Sequence, residues 1–150
     1  MEEDFIIRRM AECDISTLAE IEREIFPLPW SENAFRNALS DTNAVFMVAA
    51  DRVKNRSFAY VGMYMAADEG EITNVATAEG ERRRGAAYRL LSEMRRISAE
   101  RHLTQLVLEV RASNEAAIRL YKKAGFEIAG VRKGFYQFPP EDAYMMIARL

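Results

Sequence analysis

Cysteine and histidine are almost missing from this 150-residue chain, which has one of each, Cys13 and His102. A lone thiol forms no internal disulfide and no Cys-rich zinc site. With one histidine besides, no cluster has metal-ligand spacing, and no metal is expected. Glycine and proline are sparse, at seven and four, and no Pro/Gly/Ser linker, repeat or low-complexity tract interrupts the chain. Residues 1–150 therefore read as a single domain. An excess of one charge is also absent. The formal net charge of −2 argues against a general nucleic-acid binder, although a local basic patch is compatible with it. The longest apolar run, Phe58 to Ala67, falls well short of the roughly 20 residues a membrane helix needs. The start, Met1-Glu2-Glu3-Asp4, is acidic where a secretory leader would be basic. A cytoplasmic protein with no membrane and no direct nucleic-acid partner is the expectation.

What is present is ordinary globular material, 49% hydrophobic and 29% charged, with clear periodicities. Phe5 to Arg9 reads as a short strand. Asp14 is placed to cap a helix whose Ile15, Leu18, Ile21 and Ile25 follow a 3.6-residue period, and Pro27 and Pro29 stop it. Ser31 caps a second helix carrying Ala34, Phe35, Ala38 and Leu39. Strand-like runs follow at Ala44 to Ala50, Phe58 to Ala67 and Glu71 to Thr77, the first two joined by a turn at Lys54-Asn55-Arg56. A long helix from about Gly85 to Arg101 carries Ala87, Leu90, Leu91, Met94 and Ile97 as one apolar stripe. Gln105 to Val110 reads as a buried strand. Ser113 or Asn114 caps a helix with Ala117, Leu120, Tyr121 and Ala124 on one face, and Gly125 suits its C′ position. Phe126 to Val131 and Ala143 to Ile147 are the closing strands, with Pro139-Pro140 in a loop between them. The fold class is α/β: a mixed sheet flanked by about four helices.

The loop before the long helix, Arg82-Arg83-Arg84-Gly85-Ala86-Ala87, has the chemistry of a phosphate site. The first amides of a helix lack internal partners and the helix dipole is positive there, so a pyrophosphate fits. Gly85 and the two alanines let a ligand approach the backbone, and the arginines add charge. A solvated basic turn ahead of an amphipathic helix explains the same residues. Neither a P-loop nor the dinucleotide fingerprint is present, because the spacing fits neither.

In this order of elements, Arg82, Gly85 and Ala87 resemble the acetyl-CoA signature of the GNAT superfamily. Leu108-Glu109-Val110-Arg111-Ala112-Ser113-Asn114, followed by Ala117-Ile118, Leu120-Tyr121 and Gly125-Phe126, is similar to the matching stretch of bacterial ribosomal-protein alanine N-acetyltransferases, the RimI-type enzymes. Phe26-Pro27-Leu28-Pro29-Trp30-Ser31 and Glu141-Asp142-Ala143 extend the likeness over nearly the whole chain. The resemblance implies a mostly antiparallel sheet splayed between its fourth and fifth strands, with acetyl-CoA as co-substrate in the gap. The backbone of Val75, Ala76 and Thr77 would pair with the pantetheine arm. The segment Arg83, Arg84, Gly85, Ala86, Ala87 and Tyr88 would hold the pyrophosphate, with Arg82 opening the signature, and Asn114 would reach the pantetheine.

Acetyl transfer needs a neutral amine. A peptide α-amine titrates near ~8, whereas a lysine side chain near ~10.4 needs more help. Glu109 interrupts an apolar strand, and partial desolvation would raise its pKa toward that of a useful base. The resemblance gives it that role. A carboxylate on a solvated sheet face is the plain alternative. Tyr121 would supply the proton or hydrogen bond for the departing thiolate, or else is a core tyrosine. Trp30 lines a peptide groove or anchors the second helix. Tyr136 sits where the family often has paired tyrosines contacting the substrate backbone, here preceded by Phe135. Direct transfer leaves Cys13 without a role, and His102 reads as a surface residue at a helix end.

The resemblance implies a protein N-terminus as acceptor, with the N-terminal alanine of a small-subunit ribosomal protein as the typical substrate, and a monomer or weak dimer. A small amine or a lysine side chain is the competing acceptor. A non-catalytic acyl-CoA sensor is the competing class, and it could dispense with both Glu109 and Tyr121.

Overall fold

The computed structural model describes residues 4–150. The acidic start read above at Met1 to Glu3 lies outside the described residues. Strand β1 (Phe5–Arg9) leads through a 3-10 turn (Glu12–Asp14) into helix α1 (Ile15–Ile25), and α2 (Glu32–Ser40) follows. Strands β2 (Ala44–Asp51), β3 (Ser57–Ala66) and β4 (Glu69–Thr77) precede helix α3 (Ala86–Glu100). Then come β5 (Gln105–Arg111), α4 (Glu115–Lys123), β6 (Glu127–Gln137) and β7 (Pro140–Arg149). The strands form one seven-stranded sheet in the order β1-β2-β3-β4-β5-β7-β6. Every neighbouring pair is antiparallel except β4 and β5.

The near-continuous apolar runs of β2 and β3 follow from burial on both faces. Val45, Met47 and Ala49 pack with Val61, Met63, Leu90, Leu91 and Met94, the cluster under α3 and α4. The alternate residues Phe46, Val48 and Tyr60 pack with Leu18, Ile21 and Phe35, the cluster under α1 and α2. β5 instead alternates. Leu106, Leu108 and Val110 join the α3–α4 cluster, leaving Gln105, Val107, Glu109 and Arg111 only half-buried.

Ser31 caps α2 by accepting the Ala34 amide at 3.2 Å, and Asn114 caps α4 by accepting the Ala117 amide at 3.1 Å, which decides between the two residues expected there. Gly125 follows α4 with φ of 98°, the left-handed conformation its C′ position requires. Two expectations are corrected. Asp14 makes no side-chain cap to α1. Its carboxylate takes both Arg8 guanidinium nitrogens, at 2.8 and 2.9 Å, and the Ala11 amide at 2.8 Å. Burial pushes this carboxyl up, but these bonds outweigh it and hold the pKa below the usual range. The loop expected around Pro139-Pro140 shrinks to a two-residue turn, because β6 runs on to Gln137 and β7 begins at Pro140. Pro140 is tolerated there as the first residue of a strand.

Candidate functional site

The sheet opens where β4 leaves β5. Parallel pairing joins Glu69, Gly70 and Glu71 to Gln105, Leu106 and Val107 and goes no further. On its other side β4 stays paired with β3, but the register passes from Met63–Ile72 to Gly62–Asn74 and skips Thr73. Such a bulge bends a strand and reverses which face the following residues serve. Ile72 packs in the α3–α4 cluster, whereas Ala76 packs under α1 and α2. Bend and divergence coincide, and a cleft of about 510 Å³ opens between Ile72–Val75 on one side and Leu108–Arg111 on the other.

The cleft gathers Trp30, Val75, Glu109, Asn114, Tyr121 and Tyr136, six of the residues singled out from the sequence. Glu109 and Tyr121 reach it from different layers. Tyr121 is buried in the α3–α4 cluster with its ring 6.1 Å from that of Phe126. Glu109 belongs to the alternate set of β5 residues. Its side chain is only 15% exposed and meets the Arg132 guanidinium at 3.2 Å, so it does not lie on a solvated sheet face. Desolvation raises its pKa above the usual carboxylate range, the Glu71 charge adds to this, and Arg132 opposes it. Burial likewise raises the phenols of Tyr121 and Tyr136 above their ordinary value.

The remaining predicted residues lie outside the cleft lining. Ala76 is buried under α1 and α2, and Thr77 ends β4 paired with Ala59. Residues 82–85 form the loop ahead of α3, and Ala86, Ala87 and Tyr88 form its first turn. Gly85 is the N-cap of α3, with φ of 79° and no side-chain cap on the helix amides. A Cβ at Gly85 would meet nothing within 4 Å, so the glycine serves the left-handed backbone and an open approach. The Arg84 side chain makes local contacts. Its guanidinium sits 4.3 Å from the Phe58 ring centroid and pairs with Glu81 at 2.7 Å. Lys123 covers the Tyr88 ring at 4.7 Å. Cys13 and His102 are both exposed, on the turn before α1 and just past α3.

Trp30 lies between the cleft and the core under α1 and α2. It lines the cleft, and its ring lies 5.3 Å from Phe35 and 5.7 Å from Phe46. The residue beneath it was missed from the sequence. Glu22 is 2% exposed, lines the cleft, accepts the Trp30 amide at 2.9 Å, and takes a short hydrogen bond from the Tyr60 hydroxyl. Asn74 donates to that same hydroxyl at 3.4 Å. The available signal was Glu22's position four residues after Leu18, on the apolar stripe of α1, where a carboxylate needs partners. Arg111 and the segment from Phe135 to Phe138 also line the cleft and were not singled out as a wall.

The model of the acetyltransferase (GNAT) family matches residues 15–126, from α1 to the start of β6. The chain belongs to this family. Among curated relatives, the ribosomal protein bS18-alanine N-acetyltransferase of Salmonella typhimurium is 33% identical, with 89% of each chain covered. The crystal structure of the Escherichia coli ribosomal-protein-S18-alanine N-acetyltransferase superposes with a TM-score of 0.86 at 28% identity, covering 97% of this chain and 93% of that one. Arabidopsis thaliana NAA60 in complex with acetyl-CoA shares the fold, with a TM-score of 0.89 at 23% identity, covering 97% and 99%. The GNAT chain is thus an N-acetyltransferase with the mixed, mostly antiparallel sheet of its family. Among the described residues no helix is long and apolar enough to cross a membrane.

Proposed function

We propose that this GNAT enzyme transfers acetyl from acetyl-CoA directly to the α-amine of a protein N-terminus, with the N-terminal alanine of a small-subunit ribosomal protein as its substrate in the cytoplasm. The observation that carries this reading is the single cleft lined by Glu109, Tyr121, Trp30 and Tyr136. The names of the relatives support the acceptor.

The chain's residues fit acetyl-CoA. Beyond Glu71 the β5-facing edge of β4 has no strand beside it, leaving the backbone of Val75 to Thr77 for pantetheine amides. The uncapped α3 amides behind Gly85, with Arg82 and Arg83, suit a pyrophosphate. From Arg84 the amide would serve, its side chain being held elsewhere. Asn114 spends its oxygen on the α4 cap, so its amide nitrogen would face the pantetheine. Bound there, the thioester supplies an activated acetyl group. Glu109 takes one proton from the acceptor ammonium, directly or through water, and the neutral amine then attacks the thioester carbonyl. Tyr121, a phenol that carries its proton at neutral pH, donates to the departing sulfur. Trp30 and Tyr136 flank the incoming peptide.

The test follows acetyl-CoA turnover on peptides beginning with Ala, Ser, Gly or Met, on an N-blocked lysine peptide and on a polyamine. Preference for the alanine peptide is expected. Glu109→Gln should lower kcat by ~10²–10⁴, the range of general-base catalysis. Because its carboxyl is raised, activity grows as pH rises through a limb lying above the usual carboxylate range. Arg132→Gln removes an opposing influence and should move that limb higher still. Turnover confined to the lysine peptide or polyamine would sink the acceptor assignment. Acetyl-CoA binding unaffected by Glu109→Gln, with no turnover on any amine, would favour a sensor.

A further inference from the structure

Arg111 ends β5, two residues past Glu109, and its side chain is turned to the β6–β7 hairpin. One guanidinium nitrogen donates to the Pro139 carbonyl at 2.9 Å and the other to the Phe138 carbonyl at 2.8 Å. The first also meets Glu141 at 3.3 Å. The guanidinium carbon lies 4.2 Å from the Tyr136 ring centroid. Glu141 is held in turn by the Ser113 amide, 2.6 Å from its second oxygen. One planar cation thus grips both carbonyls of the turn, the carboxylate beginning β7 and the face of Tyr136. That combination suits arginine's rigid fork and not lysine's point charge.

Apart from its pairing with β7 and the Gly134 amide's hydrogen bond to Asp142 at 2.8 Å, the gripped segment has little buried support. The burial pattern of β6 is exposed at nearly every position, with Phe135 47% and Phe138 59% exposed. The register between β6 and β7 is irregular from Arg132 to Tyr136. Yet Phe135, Tyr136 and Phe138 form the cleft wall facing Pro27, Leu28 and Trp30. A wall with little core beneath it needs another source of position.

We infer that Arg111 is a positioning residue that determines acceptor specificity: it fixes the hairpin as a preset wall against which an extended peptide lies. This rests on the peptide-acceptor reading above. A peptide must lie along the wall to present its amine, whereas a single amino-acid amide needs only the space near Glu109. Arg111 therefore acts on the acceptor beyond its first residue and not on the chemical step.

The experiment compares wild type, Arg111→Ala and Arg111→Lys on an alanine-led pentapeptide and on alaninamide, which carries the same reacting amine without the chain. In both variants the pentapeptide KM should rise ~10-fold with kcat within ~2-fold, the signature of lost uniform binding. The acetyl-CoA KM and the kcat/KM for alaninamide should stay unchanged. Equal losses on both acceptors, a fall in kcat alone, or an unchanged pentapeptide KM would each overturn the inference. Arg111→Lys keeps the stem and the charge, so it provides the comparison should Arg111→Ala unfold. A wild-type enzyme that acetylates alaninamide but not the pentapeptide would overturn the peptide reading itself, a result distinct from any change caused by Arg111.

Discussion

The segment between α1 and α2 and the β6–β7 hairpin face each other across the same cleft, but they are held in different ways. Trp30 on the first wall rests on Phe35 and Phe46, and Phe35 in turn meets Tyr60 at 5.3 Å. The polar link under that wall is buried too, from the Trp30 amide through Glu22 to Tyr60. The opposite wall has exposed aromatics and depends on Arg111 and Glu141, whose side chains are 25% and 21% exposed. Burial of apolar area is non-directional and scales with the area removed from water. A partly exposed ion pair with fixed hydrogen bonds sets geometry while adding little to global stability. The first wall is part of the folding core, and the second is a fitted part whose change alters recognition before it alters the fold.

The largest expected effect breaks the first wall. Phe35 is fully buried, and Phe35→Ala should cost ~3–5 kcal/mol, read in urea unfolding. The matching change on the second wall, Phe135→Ala, should stay within roughly 0.5 kcal/mol, as surface substitutions do. Similar losses for the two would erase the distinction. Next in size is Glu22→Ala, which leaves the Trp30 amide and the Tyr60 hydroxyl without their partner. A loss of ~1–3 kcal/mol is expected for buried groups so stranded, seen as a lower Tm. A raised peptide KM should accompany it. Unchanged stability would mean that the aromatic packing alone holds this wall.

The order of elements and the α2 cap were legible, and the α4 cap was narrowed to two residues, because helical period, capping residues and β-branched runs act locally, whereas Asp14 was drawn off its expected cap by Arg8 on β1. Gly125 was legible because left-handed backbone leaves few choices of residue, whereas the left-handed N-cap at Gly85 was not anticipated. Glu109 drew attention as a polar group interrupting an apolar strand, and Tyr121 through the family resemblance. What periodicity could not reveal was that β5 alternates, with Leu108 and Val110 on one face and Glu109 on the other. The splay at Thr73 was read from family likeness alone, since one skipped residue leaves no mark on a run such as Glu71 to Thr77. Glu22 was hidden because the Tyr60 hydroxyl that donates to it is distant in sequence. The reach of β6 and β7 was underestimated because two prolines looked like a loop, when the ladder in fact continues to Gln137 and resumes at Pro140.

The smallest expected effect tests how the second wall divides its work. The Glu141 carboxyl is held below its usual pKa, first by hydrogen bonds from Ser113 and then by Arg111, with some opposition from desolvation. A depressed carboxylate favours the folded wall at all pH values above its unfolded pKa, and that contribution fades only as pH falls through the lower folded value. Near neutrality the Arg111–Glu141 contact is therefore fully charged and indifferent to modest changes in pH. Carboxyl NMR titration should place Glu141 below an ordinary glutamate. In Arg111→Ala the titration should move up but remain depressed, because the Ser113 bonds persist. A return to the ordinary range in that variant would show that Arg111, and not Ser113, carries most of the restraint. The wall would then rest on one side chain, and its peptide KM should rise with salt as charge screening grows. If the depression persists, the Ser113 amide keeps Glu141 in place, and the salt dependence of the wild-type KM for an uncharged peptide should be slight.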